Sequence, residues 1–236
     1  MAVPALLELN VRTLYLIGGI VTVCSAGAAF LTWYLHREAT ALRAWAAALL
    51  LTSLGALLLR FRTSDADIAL AVVADMVIVA GFAVMWLSLR YANRSHPHLL
   101  RPLMVSLAVS LVFLAFFVAL RALGAGLQAA SIPFSLFLGL IGMACAREIW
   151  QGRRTDGLQS RLPATLAFVG LGIARIVRAG VLGLEVLNVL PPGAAAATHP
   201  YTLYATIVFT VVVTYGLVMM ANEQASRREA MLFVER

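Results

Sequence analysis

Arg175, Arg178 and Glu185 stand in the segment GIARIVRAGVLGLE, residues 172–185, inside a long apolar stretch. If that stretch is helical, at about 100° per residue the two arginines lie roughly 60° apart. Glu185, seven positions after Arg178, returns to nearly the same stripe. An arginine at mid-bilayer costs about 2.5–3.5 kcal/mol on insertion scales, so such a residue faces the interior of a bundle and has a reason to be there. Asp75 is set in a second apolar run, DIALAVVADMVIVAG. Counting inward from the helix ends puts Asp75 and Arg178 at similar depth. Three roles fit these residues. They form a structural ion pair between two helices, or a polar pocket for an anionic ligand, or a proton or ion path. The pocket suits arginine because a planar guanidinium meets carboxylate or phosphate as a bidentate fork. Arg60 and Arg62 end another apolar run and would form the rim of such a pocket, unless Asp65 and Asp67 neutralise them. The ligand-binding candidates are therefore Arg175, Arg178, Asp75, Glu185, Arg60 and Arg62.

The elements that must position these groups are read from hydropathy. Hydrophobic residues make up 62% of the 236 and charged residues only 12%, against roughly 25% charged in a soluble domain. The apolar residues fall in seven runs, approximately 12–35, 43–60, 66–90, 102–123, 127–149, 163–188 and 201–222. Runs of about 20 residues cross a bilayer as helices, and backbone groups in lipid must be bonded internally. The alternating ten-residue segments of a membrane barrel are absent from the sequence.

Charge between the runs gives an orientation. All 18 basic residues are arginine. Twelve lie in loops one, three and five and the C-terminal tail, four lie on the other side, and Arg175 and Arg178 remain inside run six. The positive-inside rule then predicts the N-terminus outside and the C-terminus in the cytoplasm. Trp33, Trp45, Trp86 and Trp150 fall at the predicted cytoplasmic ends and read as interfacial anchors. The arginines are dispersed over short loops, so the net charge of +7 is a topology signal and not a nucleic-acid footprint. Cys24 and Cys145 suggest no disulfide framework.

Several seven-helix functions are excluded by composition. A retinal pigment needs a Schiff-base lysine, and the sequence has none. His36, His96, His98 and His199 read as loop or helix-end residues, unsuited to axial haem ligation. No cysteine–histidine cluster has metal-ligand spacing, and His96 and His98 read as a solvated loop pair. No metal and no cofactor is expected. The outer loop NVLPPGAAAATHP is predicted to end at Pro200, ahead of helix seven. REIWQGRRTDGLQSRLP is the longest cytoplasmic linker, with Pro163 in the first turn of helix six. ANEQASRREAMLFVER is predicted to carry helix seven out of the membrane as a connector.

The segments NVRTLYLIGGI, ALRAWAAALLLTSLGALLLRFR (residues 41–62), DIALAVVADMVIVAGFAVMWLSLRY and MMANEQASRREA resemble the seven-helix membrane sensor at the N-terminus of many bacterial GGDEF proteins, the diguanylate cyclases. Two departures are Asp75, where an asparagine is expected nearby, and Asn-Glu-Gln at the exit helix. The resemblance covers essentially the whole chain and stops before any GGDEF motif. It implies an all-α membrane protein: a seven-transmembrane-helix bundle, residues 1–222, followed by a cytoplasmic connector helix, 223–236. It also implies location in the bacterial inner membrane, homodimerisation, because the cyclase condenses two GTP molecules between two protomers, and a GGDEF-type output domain as partner. The chain itself is read as non-enzymatic, a signal-sensing domain with a small anionic or lipid-like ligand and no nucleic acid. The alternative is a small-molecule transporter or carrier that uses the same arginines.

Overall fold

The computed structural model describes residues 11–37, 39–60, 68–92, 100–124 and 126–234, with Arg60 and some other residues described by backbone alone. The described residues form seven helices and no strand: α1 (Val11–Leu35), α2 (Thr40–Arg60), α3 (Ile68–Ala92), α4 (Leu100–Ala122), α5 (Leu127–Asp156), α6 (Arg161–Val186) and α7 (Ala194–Val234). All seven are long and apolar enough to cross a membrane. Their outward faces carry large apolar side chains, among them Leu16, Ile20, Leu107, Leu111, Val177 and Val211. Such a surface suits lipid as its solvent. The protein is thus a multi-pass membrane protein in architecture.

Six helices close a ring in the order α1, α2, α3, α5, α6, α7 and back to α1, while α4 packs outside against α3 and α5. Sequential neighbours are antiparallel. Gly55 faces Ala74 and Ile78, whereas Gly81 faces Ala48. Along α6 and α7, Arg175 meets Thr206 and Ser160 meets Glu223. Lipid offers little drive to bring apolar helices together, so close backbone approach through small residues matters more here than in water. The α5–α6 contact shows this. A Cβ added at Gly172 would lie 2.9 Å from Met143 Sδ and 3.1 Å from Gly139 O. Gly172 is three residues before Arg175, so this contact helps fix which way the arginine turns.

Three elements differ from the sequence-based expectation. First, α5 runs on to Asp156, so ten of the seventeen residues of the expected linker belong to it. Its continuation is rich in helix formers and lacks proline. The stop is Gly157, whose φ of 66° is left-handed and whose N–H donates to Arg153 O. Second, α7 begins at Ala194, ahead of the predicted start, with Pro200 inside it. Third, Trp45 is not an interfacial anchor. It is 4% exposed, donates through Nε1 to Thr214 Oγ1 at 3.2 Å, and stands edge-on to Phe168. Trp33, Trp86 and Trp150 do occupy the ends of α1, α3 and α5, with Arg37, Arg90 and Arg153 respectively over their rings.

Candidate functional site: an arginine-bearing cavity

A cavity of about 300 Å³ lies inside the helix ring, with lining from all seven helices. That volume is at the lower end of the range for small-molecule sites. Arg175, Arg178 and Asp75 all line it, together with Tyr15, Ser135 and His199. Arg175 is 6% exposed. Its Nη2 donates to Thr206 Oγ1 at 3.0 Å, and its guanidinium carbon lies 5.9 Å from the centre of the Phe134 ring. Asp75, at the depth of Arg178 by helix counting, lines the same cavity as both arginines. Asp75 and Tyr15 are themselves partnered.

Thr206 belongs to a ladder of threonines at every fourth position of α7, from Thr198 to Thr214. Thr202, Thr206, Thr210 and Thr214 each donate to the carbonyl four residues earlier. This back-bonding satisfies the hydroxyl proton and leaves oxygen lone pairs free to accept. Arg175 uses Thr206 in this way, and Trp45 uses Thr214.

The amino end of α7 is built by α6. Glu185 accepts from Gly193 N at 2.9 Å and from Ala195 N at 2.7 Å. A carboxylate here satisfies N–H groups that have no partner within the helix and complements the positive end of its dipole. This is why α7 begins before Pro200. Glu185 is 8% exposed and is not among the cavity-lining residues; the structure places it on the α7 backbone. Arg178 reaches the same turn, donating from Nη1 to Ala195 O at 3.4 Å. That single long bond is the only one described for Arg178, which leaves most of its donor fork uncommitted.

His199, expected at a loop or helix end, lies within α7 and lines the cavity. Its Nε2 is 3.1 Å from the Tyr15 hydroxyl. Three of the residues that line the cavity each carry a buried polar atom with no hydrogen-bond partner among the described residues: Arg175 Nε, Ser135 Oγ and His199 Nδ1. Ser135 is 1% exposed. Buried polar groups without partners cost free energy, and three of them sit in side chains around this one cavity. Arg62, Asp65 and Asp67 lie outside the described residues, as do His96 and His98, and of Arg60 only the backbone is described. No group of three metal-ligating side chains occurs among the described residues. Cys24 and Cys145 are both free thiols.

At the opposite end of the bundle α7 is tied to the α5–α6 turn. Glu223 accepts from the Ser160 hydroxyl at 2.6 Å. Arg227 pairs with Glu223 at 2.8 Å and donates to Asp156 O at 2.9 Å. Arg161, 7% exposed, pairs with Asp156 and donates to Ile149 O. The two ends of α6 thus hold the two ends of its contact with α7. Comparison with known proteins finds no matching family model, no matching curated protein and no matching solved structure.

Proposed function

We propose that this chain is a membrane-embedded signal-sensing domain that binds an anionic ligand in the arginine-bearing cavity and regulates a cytoplasmic output. The observation that carries the reading is a cavity that gathers Arg175 and Arg178 with a single carboxylate, Asp75, and holds the mostly uncommitted fork of Arg178. By the sequence resemblance, the output is a diguanylate cyclase domain, the working unit is a homodimer, and the location is the bacterial inner membrane. The arginine distribution supports a carboxyl end in the cytoplasm. With 41 residues, α7 is about 60 Å long, twice the hydrocarbon thickness. It is the natural lever between cavity and output. A ligand drawn to Arg175 and Arg178 competes with Thr206 and Ala195, both on α7, and so biases how α7 sits on α6. The Glu223–Arg227 clasp lies where that displacement would be read.

The test uses the chain in lipid nanodiscs with decanoate as the anionic probe. Decanoate is expected to raise the unfolding temperature of the wild type in a saturable way, with about 2.7 kcal/mol of added stability at a hundredfold excess over Kd. Arg178→Gln is expected to fold and to lose most of that gain. An equal gain in both proteins would contradict the assignment of Arg178, and no gain in either would remove the anion site. Proteoliposomes separate the carrier alternative: decanoate-competed anion uptake above the protein-free rate would favour a transporter.

A further inference from the structure

The lining of the cavity changes character along the bundle. Arg175, Arg178, Asp75 and His199 gather toward one end. Trp45, Leu49, Phe82, Met85, Phe168 and Val213 line the other. The distance between the two ends follows from the helix register. Trp45 packs on Phe168 and bonds Thr214, and these lie seven residues before Arg175 and eight after its partner Thr206. At about 1.5 Å per residue the apolar end is roughly 10–12 Å from Arg175. The slot is therefore longer than an anionic headgroup, and its far half offers apolar contact. Two guanidiniums and one carboxylate among the ionised lining groups leave one positive charge. A volume of about 300 Å³ has no room for a two-chain phospholipid.

We infer that the cavity takes a single-chain aliphatic carboxylate, with its head at Arg175 and Arg178 and its chain running toward Trp45. This rests on the anion-binding reading above and adds to it the class and the direction of the ligand. The head supplies acceptors to the Arg175 guanidinium and to the free donors of Arg178, and the chain fills the apolar half. One charge on the ligand matches the one uncompensated charge of the lining. Apolar burial then makes affinity depend on chain length. Each methylene is worth about fourfold in Kd, referred to free aqueous concentration, until the chain reaches the end of the slot.

The experiment reads Trp45 fluorescence in nanodiscs, with Trp33, Trp86 and Trp150 changed to Phe. Trp45 is 4% exposed and shielded from lipid, so a quencher must reach it from within the bundle. The probes are ω-bromohexanoate, ω-bromodecanoate and a phospholipid brominated on its acyl chains. ω-Bromodecanoate is expected to quench saturably and tightly. ω-Bromohexanoate, with its bromine short of Trp45, is expected to quench weakly even at saturation. The brominated phospholipid is expected not to quench. Arg178→Gln in the same background is expected to weaken ω-bromodecanoate at least tenfold. If acetate and succinate stabilise the protein as strongly as decanoate and ω-bromodecanoate leaves Trp45 unquenched, the anion site survives and the amphiphile assignment falls. Quenching by the phospholipid would overturn it in favour of a lipid acyl chain. Absence of both quenching and anion stabilisation would overturn both readings together. As an independent check in the unaltered protein, affinity should rise from hexanoate to decanoate and then level off. A rise that continues with length marks simple partition into the bilayer and contradicts the slot.

Discussion

Asp75→Ala is expected to lower the unfolding free energy of the purified protein by about 3–5 kcal/mol, because it removes the one carboxylate among the cavity-lining residues, which include the buried Arg175. Arg175 is 6% exposed and has one side-chain hydrogen bond, to Thr206, alongside an unpartnered Nε. Without Asp75 its charge has less compensation in a medium where water does not substitute. The double change Asp75→Ala with Arg175→Met is expected to be more stable than Asp75→Ala alone, since an apolar side chain of similar volume carries no charge to strand. Reversible unfolding in mild detergent, arranged as a double-mutant cycle, reads the coupling. It should exceed about 1 kcal/mol for Asp75 with Arg175. Additive effects would show that the two groups do not act on one another. The same cycle with Arg178 gives a comparison at the position where depth alone suggested a pair.

The second large effect is expected from Glu185→Ala. Two backbone N–H groups, of Gly193 and Ala195, lose their acceptor, at about 1–3 kcal/mol for a buried donor left unmade. The first turns of α7 should then open, and the helix should begin nearer Pro200. Hydrogen exchange reads this locally: amides of residues 193–197 should lose protection while those of α2 and α3 keep theirs. Glu185→Gln retains one acceptor oxygen and should lose less. Unchanged protection at residues 193–197 in the alanine variant would contradict the capping role. Because His199 lies on these turns and lines the cavity, the alanine variant should also bind anions more weakly.

The helices were legible because each apolar run is as long as a bilayer is thick, and the seven runs correspond to the seven helices. Their ends were less legible, for reasons particular to each. The start of α7 depends on Glu185, whose carboxylate replaces the missing intrahelical acceptors from another helix. Local composition, with Pro191, Pro192 and Pro200, points instead to a loop. The extension of α5 to Asp156 carries charges that end a hydropathy run without ending a helix. Within the membrane, faces that meet lipid and faces that meet protein are both apolar, so hydropathy does not show which way a side chain points. Trp45 is the case in point: an indole near a helix end reads as an anchor, yet it is in the core.

The site was legible through its charges. Arg175, Arg178 and Asp75 stand out against apolar neighbours, and the structure brings all three to one cavity. Tyr15, Ser135 and His199 were not legible as site residues, since their polarity is ordinary and their meeting depends on tertiary packing. The threonine ladder of α7 was legible in principle: a polar residue at every fourth position from Thr198 to Thr214 marks one helix face. Of that face, Thr206 supplies the acceptor to Arg175 and Thr214 the acceptor to Trp45.

The proposed role is tested most directly by signalling itself. Residues 1–236 joined in frame to a cytoplasmic diguanylate cyclase domain, expressed in a bacterium lacking its own cyclases, give cyclic di-GMP as the readout. Decanoate added outside is expected to change that level in the wild-type fusion. Arg178→Gln, which keeps Arg175 beside Asp75, is expected to leave the fusion in the membrane at its usual amount and largely insensitive to decanoate. An Arg178→Gln fusion that responds as the wild type does would contradict the account, and so would a wild-type fusion whose cyclase is active but indifferent to a ligand shown to occupy the cavity.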